Sequence, residues 1–142
     1  MTDNSILLSF YNDAFSTIHC QVSKGVLNKA KPIVLMAMIN LVEKGRTAQN
    51  KFLVTDIKED YECLQKQYNV TTPYQYPIYF LESESFYHLK WKTGRIKTHT
   101  PSGKLIRENV EYAYLDNALW DLLQEQEMRD HFRSIIETHY LK

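Results

Sequence analysis

The sequence predicts an α+β fold: a helix-rich single domain with a small, mostly antiparallel sheet. Its length of 142 residues fits one domain that can bury a core. Several segments carry helix start signals or helical spacing of apolar residues, and two others are rich in aromatic and β-branched residues. No repeat, low-complexity run or Pro/Gly linker divides the chain, so we expect one folded unit over residues 1–142.

The N-terminal half is predicted to be mainly helical. Pro32 stands in the first turn of an apolar segment and Gly45 at its end, as is typical of a helix. Because the first two turns of that segment are apolar on every side, we expect it to cross the core. The predicted elements are a helix at Ser5–Phe15, a loop at Gln21–Ala30, the core helix at Lys31–Gly45, a short strand at Asn50–Val54 and a helix at Asp56–Tyr68 capped by Thr55.

The C-terminal half is predicted to contain the sheet and two further helices. Trp91 and Trp120 are expected in the core. The predicted elements are strands at Tyr76–Leu81 and Ser85–Trp91 joined by a turn at Glu82–Glu84, a basic loop at Lys92–Gly103, a short helical turn at Leu105–Asn109, a helix at Asn117–Gln124 capped by Asp116, and a last helix at about Glu127–Tyr140.

The charges cancel over the whole chain but are unevenly distributed. Seventeen basic and seventeen acidic residues give a net charge of zero. The segment Ser85–Arg107 nevertheless holds six bases and no acid, and Lys24–Lys51 holds six bases against Glu43 alone. An anion-binding face would produce this pattern, with the acidic C-terminal segment turned away. The alternative is a set of solvated lysines that share no face.

The sequence offers no motif for catalysis or metal binding. The five histidines lie in separate segments without zinc-ligand spacing, and the four glycines are too isolated to form a phosphate loop. We therefore expect no catalytic residues, no metal and no cofactor in this chain. Cys20 and Cys63 are far apart and are expected to be reduced thiols. Since neither a signal peptide nor a span long enough for a bilayer is visible, a cytoplasmic protein without membrane contact is expected.

Several segments, taken in order, resemble the N-terminal domain of bacterial HNH endonucleases, which is related to the sulfur-binding domain of phosphorothioate-dependent restriction enzymes. The resemblance covers about Lys24–Leu141 and leaves 1–23 as an N-terminal helix and loop. The matching segments are Lys31–Met36 and Glu43–Gly45, Tyr76–Leu81, Ser85–Leu89, Leu105–Arg107, Glu111–Asp116, and His131–Arg133 through Tyr140–Leu141.

The resemblance implies a DNA-binding module that recognises a modified backbone, without the nuclease. Its sulfur pocket would be built around Tyr76 and Pro77, with Pro77 exposed at the rim. The resemblance implies two partners, which are double-stranded DNA and a nuclease subunit. The residues that fall in its phosphate- and base-contacting regions are Lys24, Lys29, Lys31, Lys97, Lys104 and Arg107.

Two positions depart from the family pattern, and other functions stay open. Ala30 stands where the family has histidine or arginine, and Tyr79 where a tryptophan is common. His88 fits a hydrogen-bonded core residue better than a DNA contact. The second hypothesis is a protein-interaction subunit of a defence or mobile-element system, and the third is a small enzyme of another type.

Overall fold

The computed structural model describes residues 4–142 and confirms the predicted α+β fold. Helices pack around one core, and four short strands form two separate antiparallel pairs. The helices are α1 Asn4–Ser16, α2 Ala30–Glu43, α3 Val54–Gln67, α4 Gln75–Phe80, α5 Gly103–Asn109, α6 Asn117–Leu122 and α7 Gln126–Tyr140; the strands are β1 Val22–Ser23, β2 Val26–Leu27, β3 Tyr87–Trp91 and β4 Val110–Leu115.

Helix α2 is the centre of the molecule, as its sequence predicted. Every residue from Pro32 to Ile39 is buried, and α3, α4 and α7 all pack against the helix. A helix that is apolar on every side can be stable in water only when neighbours cover every side. Gly45 follows its C-terminus with φ 70°, a conformation that glycine adopts without steric cost.

The larger strand pair joins β3 to β4 rather than to the segment before it. Tyr87 pairs with Leu115 and His88 with Tyr114, and an irregularity follows Lys90. The basic loop and α5 lie between the two strands in sequence. The prediction of a strand at Ser85–Trp91 is therefore confirmed, but its predicted hairpin partner is wrong.

That partner, Tyr76–Leu81, is helical: it forms most of α4 and the first residue of the 3₁₀ turn Leu81–Ser83. Tyr74, Pro77, Ile78 and Leu81 are all buried. Their spacing of three, four and seven residues is that of one helix face. The aromatic and branched composition of the segment suggested a strand, but packing of this face on the core decides the conformation.

Three local predictions also need correction. Asn50–Val54 is not a strand, because only Phe52 makes a bridge, to Ala113, and Val54 already belongs to α3. The residue before α3 is Leu53, so Thr55 lies inside the helix and does not cap it. Asp116 does precede α6, but its side chain bonds elsewhere.

The two terminal helices close the core on one side. Phe15 of α1 packs on Phe132 of α7 and on Phe86, with ring centroids 4.9 Å apart in both pairs. The Tyr140 hydroxyl donates to the Phe15 carbonyl (2.6 Å) and accepts from the Ile18 N–H (2.9 Å). These contacts fix the loop that leaves α1. Trp91 is buried and Trp120 is half-buried against the core.

None of the helices in residues 4–142 combines the length and the hydropathy that a bilayer crossing requires.

Candidate functional site

A cleft of about 570 Å³ opens where three distant segments meet: the chain from α1 to α2, the start of α4, and the basic loop. It combines an apolar wall with polar and basic side chains. The lining residues are His19, Cys20, Gln21, Asn28, Ala30, Lys31, Thr72, Tyr76, Pro77, Phe80, Ser83 and His99.

The apolar wall comes mainly from α4. The Tyr76 and Phe80 rings, one helical turn apart, are stacked with centroids 6.3 Å apart. Pro77 lies between them in sequence and is buried, so the expectation of an exposed proline at the rim is wrong. The helix turns this residue toward the core, and Pro77 contributes to the cleft as part of its lining.

Lys31 brings the positive charge into the cleft. It is the second residue of α2 and is half-buried, and within residues 4–142 it forms no ion pair. The N-terminal end of a helix carries a partial positive charge, which adds to that of the ammonium group. An anion in the cleft would therefore meet both a side-chain cation and a helix dipole.

Asn28 fixes the entry to α2 by hydrogen bonds in two directions. Its Oδ1 accepts from the Ala30 N–H (2.9 Å), and its Nδ2 donates to Thr72 Oγ1 (3.2 Å). The side chain thereby ties the start of α2 to the segment before α4. This connection helps to fix the position of one side of the cleft relative to the other.

Cys20 is a neutral part of the lining. Burial raises the pKa of its thiol to about 11; the charge of Lys31 lowers it and that of Glu84 raises it, each by less than burial. At neutral pH the thiol therefore stays protonated. A protonated thiol behaves as a small apolar group, so Cys20 extends the apolar surface.

The basic loop is held beside the cleft by Tyr79. The Tyr79 hydroxyl donates to the Ile96 carbonyl (2.9 Å) and accepts from the Thr98 N–H (3.0 Å). His99, the next residue, reaches the cleft, and Lys97 lines an adjoining groove of about 510 Å³. This groove shares Phe80, Ser83 and His99 with the cleft, so the two form one continuous depression.

Of the residues expected to bind DNA, the structure unites Lys31, Tyr76 and Pro77 in the cleft, with Lys97 next to it. Lys29 stands directly before α2, and Lys24 is exposed in the turn between β1 and β2. These residues lie on the segments that frame the cleft. They do not all line it.

Lys104 and Arg107, on α5, do not line the cleft within the described chain. Arg107 borders two grooves beside α3, and its Nη1 donates to the Tyr74 hydroxyl at 2.6 Å. Gly103 lies so close that an added Cβ would be 2.8 Å from that Nη1. Arg107 thus has a structural role that the sequence did not reveal, and Lys104 is exposed.

Several residues of the cleft were not predicted from the sequence. Phe80 lies one turn after Tyr76, so a helical interpretation of this segment would have placed it on the wall. The others come from loops and from the 3₁₀ turn after α4, and their approach depends on the tertiary fold. They are His19, Cys20, Gln21, Asn28, Thr72, Ser83 and His99.

One polar cluster lies outside the cleft lining. Asp116 accepts a hydrogen bond from the Tyr11 hydroxyl (2.9 Å), and its other oxygen is 2.7 Å from Nε2 of His88. Burial raises the pKa of Tyr11 well above its usual value, and Asp116 raises it further. The half-buried His88 is thus hydrogen-bonded as expected. Across residues 4–142, no group of three or more His, Cys, Asp or Glu side chains is arranged to hold a metal ion.

Comparison with known proteins finds a likeness to a solved structure. The fold matches a solved structure described as "Sulfur binding domain of SprMcrA complexed with phosphorothioated DNA", with a TM-score of 0.73, 16% sequence identity, and coverage of 94% of this chain and 85% of the other. No protein-family model matches the chain. No curated protein matches it either. The likeness confirms the fold that the sequence resemblance implied, and membership of the HNH endonuclease family stays a prediction.

Proposed function

We propose that this chain is a non-catalytic module that binds double-stranded DNA in the cleft and recognises a sulfur atom in its backbone. The observation that carries the proposal is the cleft itself: the wall of Tyr76, Pro77 and Phe80 faces the same space as Lys31. The fold likeness to a domain solved with phosphorothioated DNA supports it. DNA as the ligand also fits the cytoplasmic location expected from the sequence.

An apolar wall can distinguish sulfur from oxygen at a backbone phosphate. The oxygen of a normal phosphate is small, charged and strongly hydrated, so moving it against apolar side chains costs free energy. Sulfur is larger, softer and less hydrated, and the same contact costs less. The wall therefore distinguishes the two backbones through the contact that it makes with sulfur, and it contributes little to the binding of unmodified DNA.

The cations around the cleft would supply the affinity. Phosphate contacts dominate the binding free energy of most DNA-binding proteins and make it dependent on salt. Lys31 lines the cleft and is proposed to bind the modified phosphate together with the start of α2, and Lys97, which lines the adjoining groove, is proposed to bind a neighbouring phosphate. Lys24, Lys29, Lys104 and Arg107 are proposed to contact flanking phosphates.

Fluorescence anisotropy with three otherwise identical duplexes tests the proposal: one unmodified, and two carrying a single phosphorothioate of opposite configuration at phosphorus. Because the wall lies on one side of the cleft, we expect the protein to prefer one diastereomer over both other duplexes. Equal affinity for all three would refute sulfur recognition and leave general DNA binding. Binding to none of them would refute the DNA-binding function.

Replacing Pro77 by alanine should narrow the phosphorothioate preference without weakening the binding of unmodified DNA. The substitution removes ring carbons from the wall, and each lost methylene contact with sulfur is worth about 0.8 kcal/mol, or about fourfold in affinity. The ratio of the two dissociation constants, measured by anisotropy, should fall by this factor or more. If the variant is folded and the ratio is unchanged, Pro77 does not help the protein to distinguish phosphorothioate from unmodified DNA.

Lys104→Ala and Arg107→Ala should differ in stability but both reduce the salt dependence of DNA binding. Each lost phosphate contact lowers the slope of log affinity against log salt by about 0.9. Lys104→Ala should change the free energy of unfolding by less than about 0.5 kcal/mol. Arg107→Ala should cost about 1 kcal/mol because the buried Tyr74 loses its hydrogen bond. Urea unfolding measures the stability of each variant, and salt titrations of DNA binding measure the slope. If both variants keep the wild-type slope, α5 makes no phosphate contacts.

We further propose that residues 1–142 act as a single DNA-binding unit beside an HNH endonuclease, which would supply the cleavage that this chain is not expected to perform. Co-purification with such a nuclease tests the association. Metal-dependent cleavage by the purified chain alone would refute the non-catalytic assignment.

A specific observation favours the second candidate function, a protein-interaction subunit of a defence or mobile-element system. Ile6 and Phe10 of α1 are four residues apart on one helix face, and they are 67% and 51% exposed. Exposed apolar side chains in one patch are typical of protein contacts. This candidate takes precedence if neither unmodified nor phosphorothioate duplexes bind.

A further inference from the structure

A small β-hairpin projects from the edge of the cleft. This hairpin arm, residues 21–28, contains β1 and β2, and Val22 pairs with Leu27 and Ser23 with Val26. Its base is closed by a hydrogen bond from the Asn28 N–H to the Gln21 carbonyl at 2.8 Å. Since Gln21 and Asn28 both line the cleft, the arm begins where the proposed phosphate site ends.

The arm exposes apolar side chains to solvent. Val22 and Val26 are 65% and 67% exposed, two of the five large hydrophobic side chains found exposed in the described residues. Directly opposed residues of an antiparallel pair share a face, so Leu27 and Val22 lie on one face and Ser23 and Val26 on the other. Leu27 packs against the core. The face with Val26 therefore points away from the protein.

The tip of the arm carries a lysine in an unfavourable conformation. Lys24 has φ 53° and Gly25 has φ 76°, as in the tight turn that best matches the twist of a two-residue hairpin. Asparagine or glycine usually occupies the first of these positions, and other residues there cost about 1 kcal/mol or more. A lysine at this place puts a positive charge at the point of the arm farthest from the protein.

The dimensions of the arm suit the major groove of DNA. The arm from Gln21 to its tip at Lys24 is at most about 13 Å long, and two paired strands with their side chains are about 10 Å wide. The major groove is about 12 Å wide and 8.5 Å deep, and the minor groove is only about 6 Å wide. A two-stranded ribbon of this size therefore fits the major groove and is too wide for the minor groove.

On these grounds we propose that the hairpin arm enters the major groove next to the modified phosphate, where Val26 contacts the 5-methyl group of a thymine. The inference rests on the proposed DNA-binding function. Charge complementarity supports it, because Lys24 at the tip and Lys29 and Lys31 at the base meet phosphates on either side of the groove. Apolar contact with the thymine methyl is the way an aliphatic side chain distinguishes bases in this groove.

The test uses phosphorothioate duplexes in which single thymines are replaced by deoxyuridine, which removes only the 5-methyl group. The reach of the arm corresponds to about four base pairs at 3.4 Å each, so thymines at each of the four positions on either side of the modified linkage are replaced in turn. We expect a loss of about fourfold in affinity at one of these positions, the effect of one buried methyl group.

Val26→Ser and Val22→Ser form a matched pair of variants, because both residues are valines of equal exposure in the same arm. Val26→Ser should bind the thymine and deoxyuridine duplexes equally, whereas Val22→Ser should keep the fourfold difference. The melting temperature of each variant shows that it is folded. If the affinity of wild-type protein does not change when any of the methyl groups is removed, but the phosphorothioate duplex is still preferred, the inference about the arm is wrong and the proposed function stands. If Val26→Ser instead abolishes self-association in sedimentation and leaves DNA affinity unchanged, the arm binds a second copy of the chain and the inference is also wrong.

Discussion

Lys31→Glu is expected to weaken binding to every DNA duplex by at least about 100-fold. Removing a hydrogen-bonded charged partner costs about 1.5–3 kcal/mol, and the new carboxylate adds repulsion of similar size toward the phosphate. Together these effects amount to about 3 kcal/mol or more, and each 1.4 kcal/mol corresponds to a factor of ten. Fluorescence anisotropy at low salt measures the loss.

Two control variants separate this local effect from a general loss of positive charge. Lys142→Glu makes the same change of net charge at a residue that does not line the cleft, and should lower affinity only slightly. Lys31→Gln should fall between wild type and Lys31→Glu. Since Lys31 forms no ion pair within residues 4–142, the thermal stability of its variants should remain close to that of wild type. Equal losses in Lys31→Glu and Lys142→Glu would contradict a phosphate site in the cleft.

Phe132→Ala is expected to produce the largest loss of stability, about 3–5 kcal/mol. Phe132 is fully buried, and its ring packs on Phe15, which in turn stacks on Phe86. Truncation would leave a cavity between α7 and α1 that rigid helices cannot fill. For a domain of this size the melting temperature should fall by about 10–15 °C, as measured by calorimetry or circular dichroism.

Phe10→Ala provides the matched control, because Phe10 is the same residue type on α1 but is 51% exposed. It should change the free energy of unfolding by much less than Phe132→Ala. At a temperature where Phe132→Ala remains folded, its affinity for DNA should equal that of wild type, because Phe132 is not part of the cleft. Similar losses of stability in the two alanine variants would contradict the role assigned to the three rings.

The longest helices were predictable because their signals are local. α2 has a proline in the first turn, an uninterrupted apolar run and a glycine after its end. α7 has the spacing that buries Phe132, Ile136 and Tyr140 on one face. In both cases propensity, pattern and burial favour the same conformation.

Helix α4 was not predicted correctly because its composition and its packing conflict. Its residues Tyr76, Ile78, Tyr79 and Phe80 are typical of strands, and six residues are too few for periodicity to outweigh composition. The strand that does exist in this region, β3, finds its partner β4 across the basic loop and α5. A pairing over that distance leaves no local signal in the sequence.

Only a minority of the residues that line the cleft could be predicted from the sequence. Lys31, Tyr76 and Pro77 were expected to act together, and the cleft contains all three. The family resemblance implied a DNA contact for Arg107, but its contact with the hydroxyl of Tyr74 could be found only in three dimensions. The hydrogen bond between Asn28 and Thr72 of the cleft likewise joins residues that are 44 positions apart in the sequence.

The contact between α1 and α7 also bears on how the chain folds during synthesis. Tyr140 and the Phe15 carbonyl it contacts are 125 residues apart. At about 5–20 residues per second, a ribosome needs about 6–25 s to add that length. Throughout that interval α1 lacks its final partner, so its apolar residues remain accessible to chaperones and to neighbouring nascent chains. Variants that weaken α7 should therefore reduce the yield of native protein in cells more than their equilibrium stability suggests.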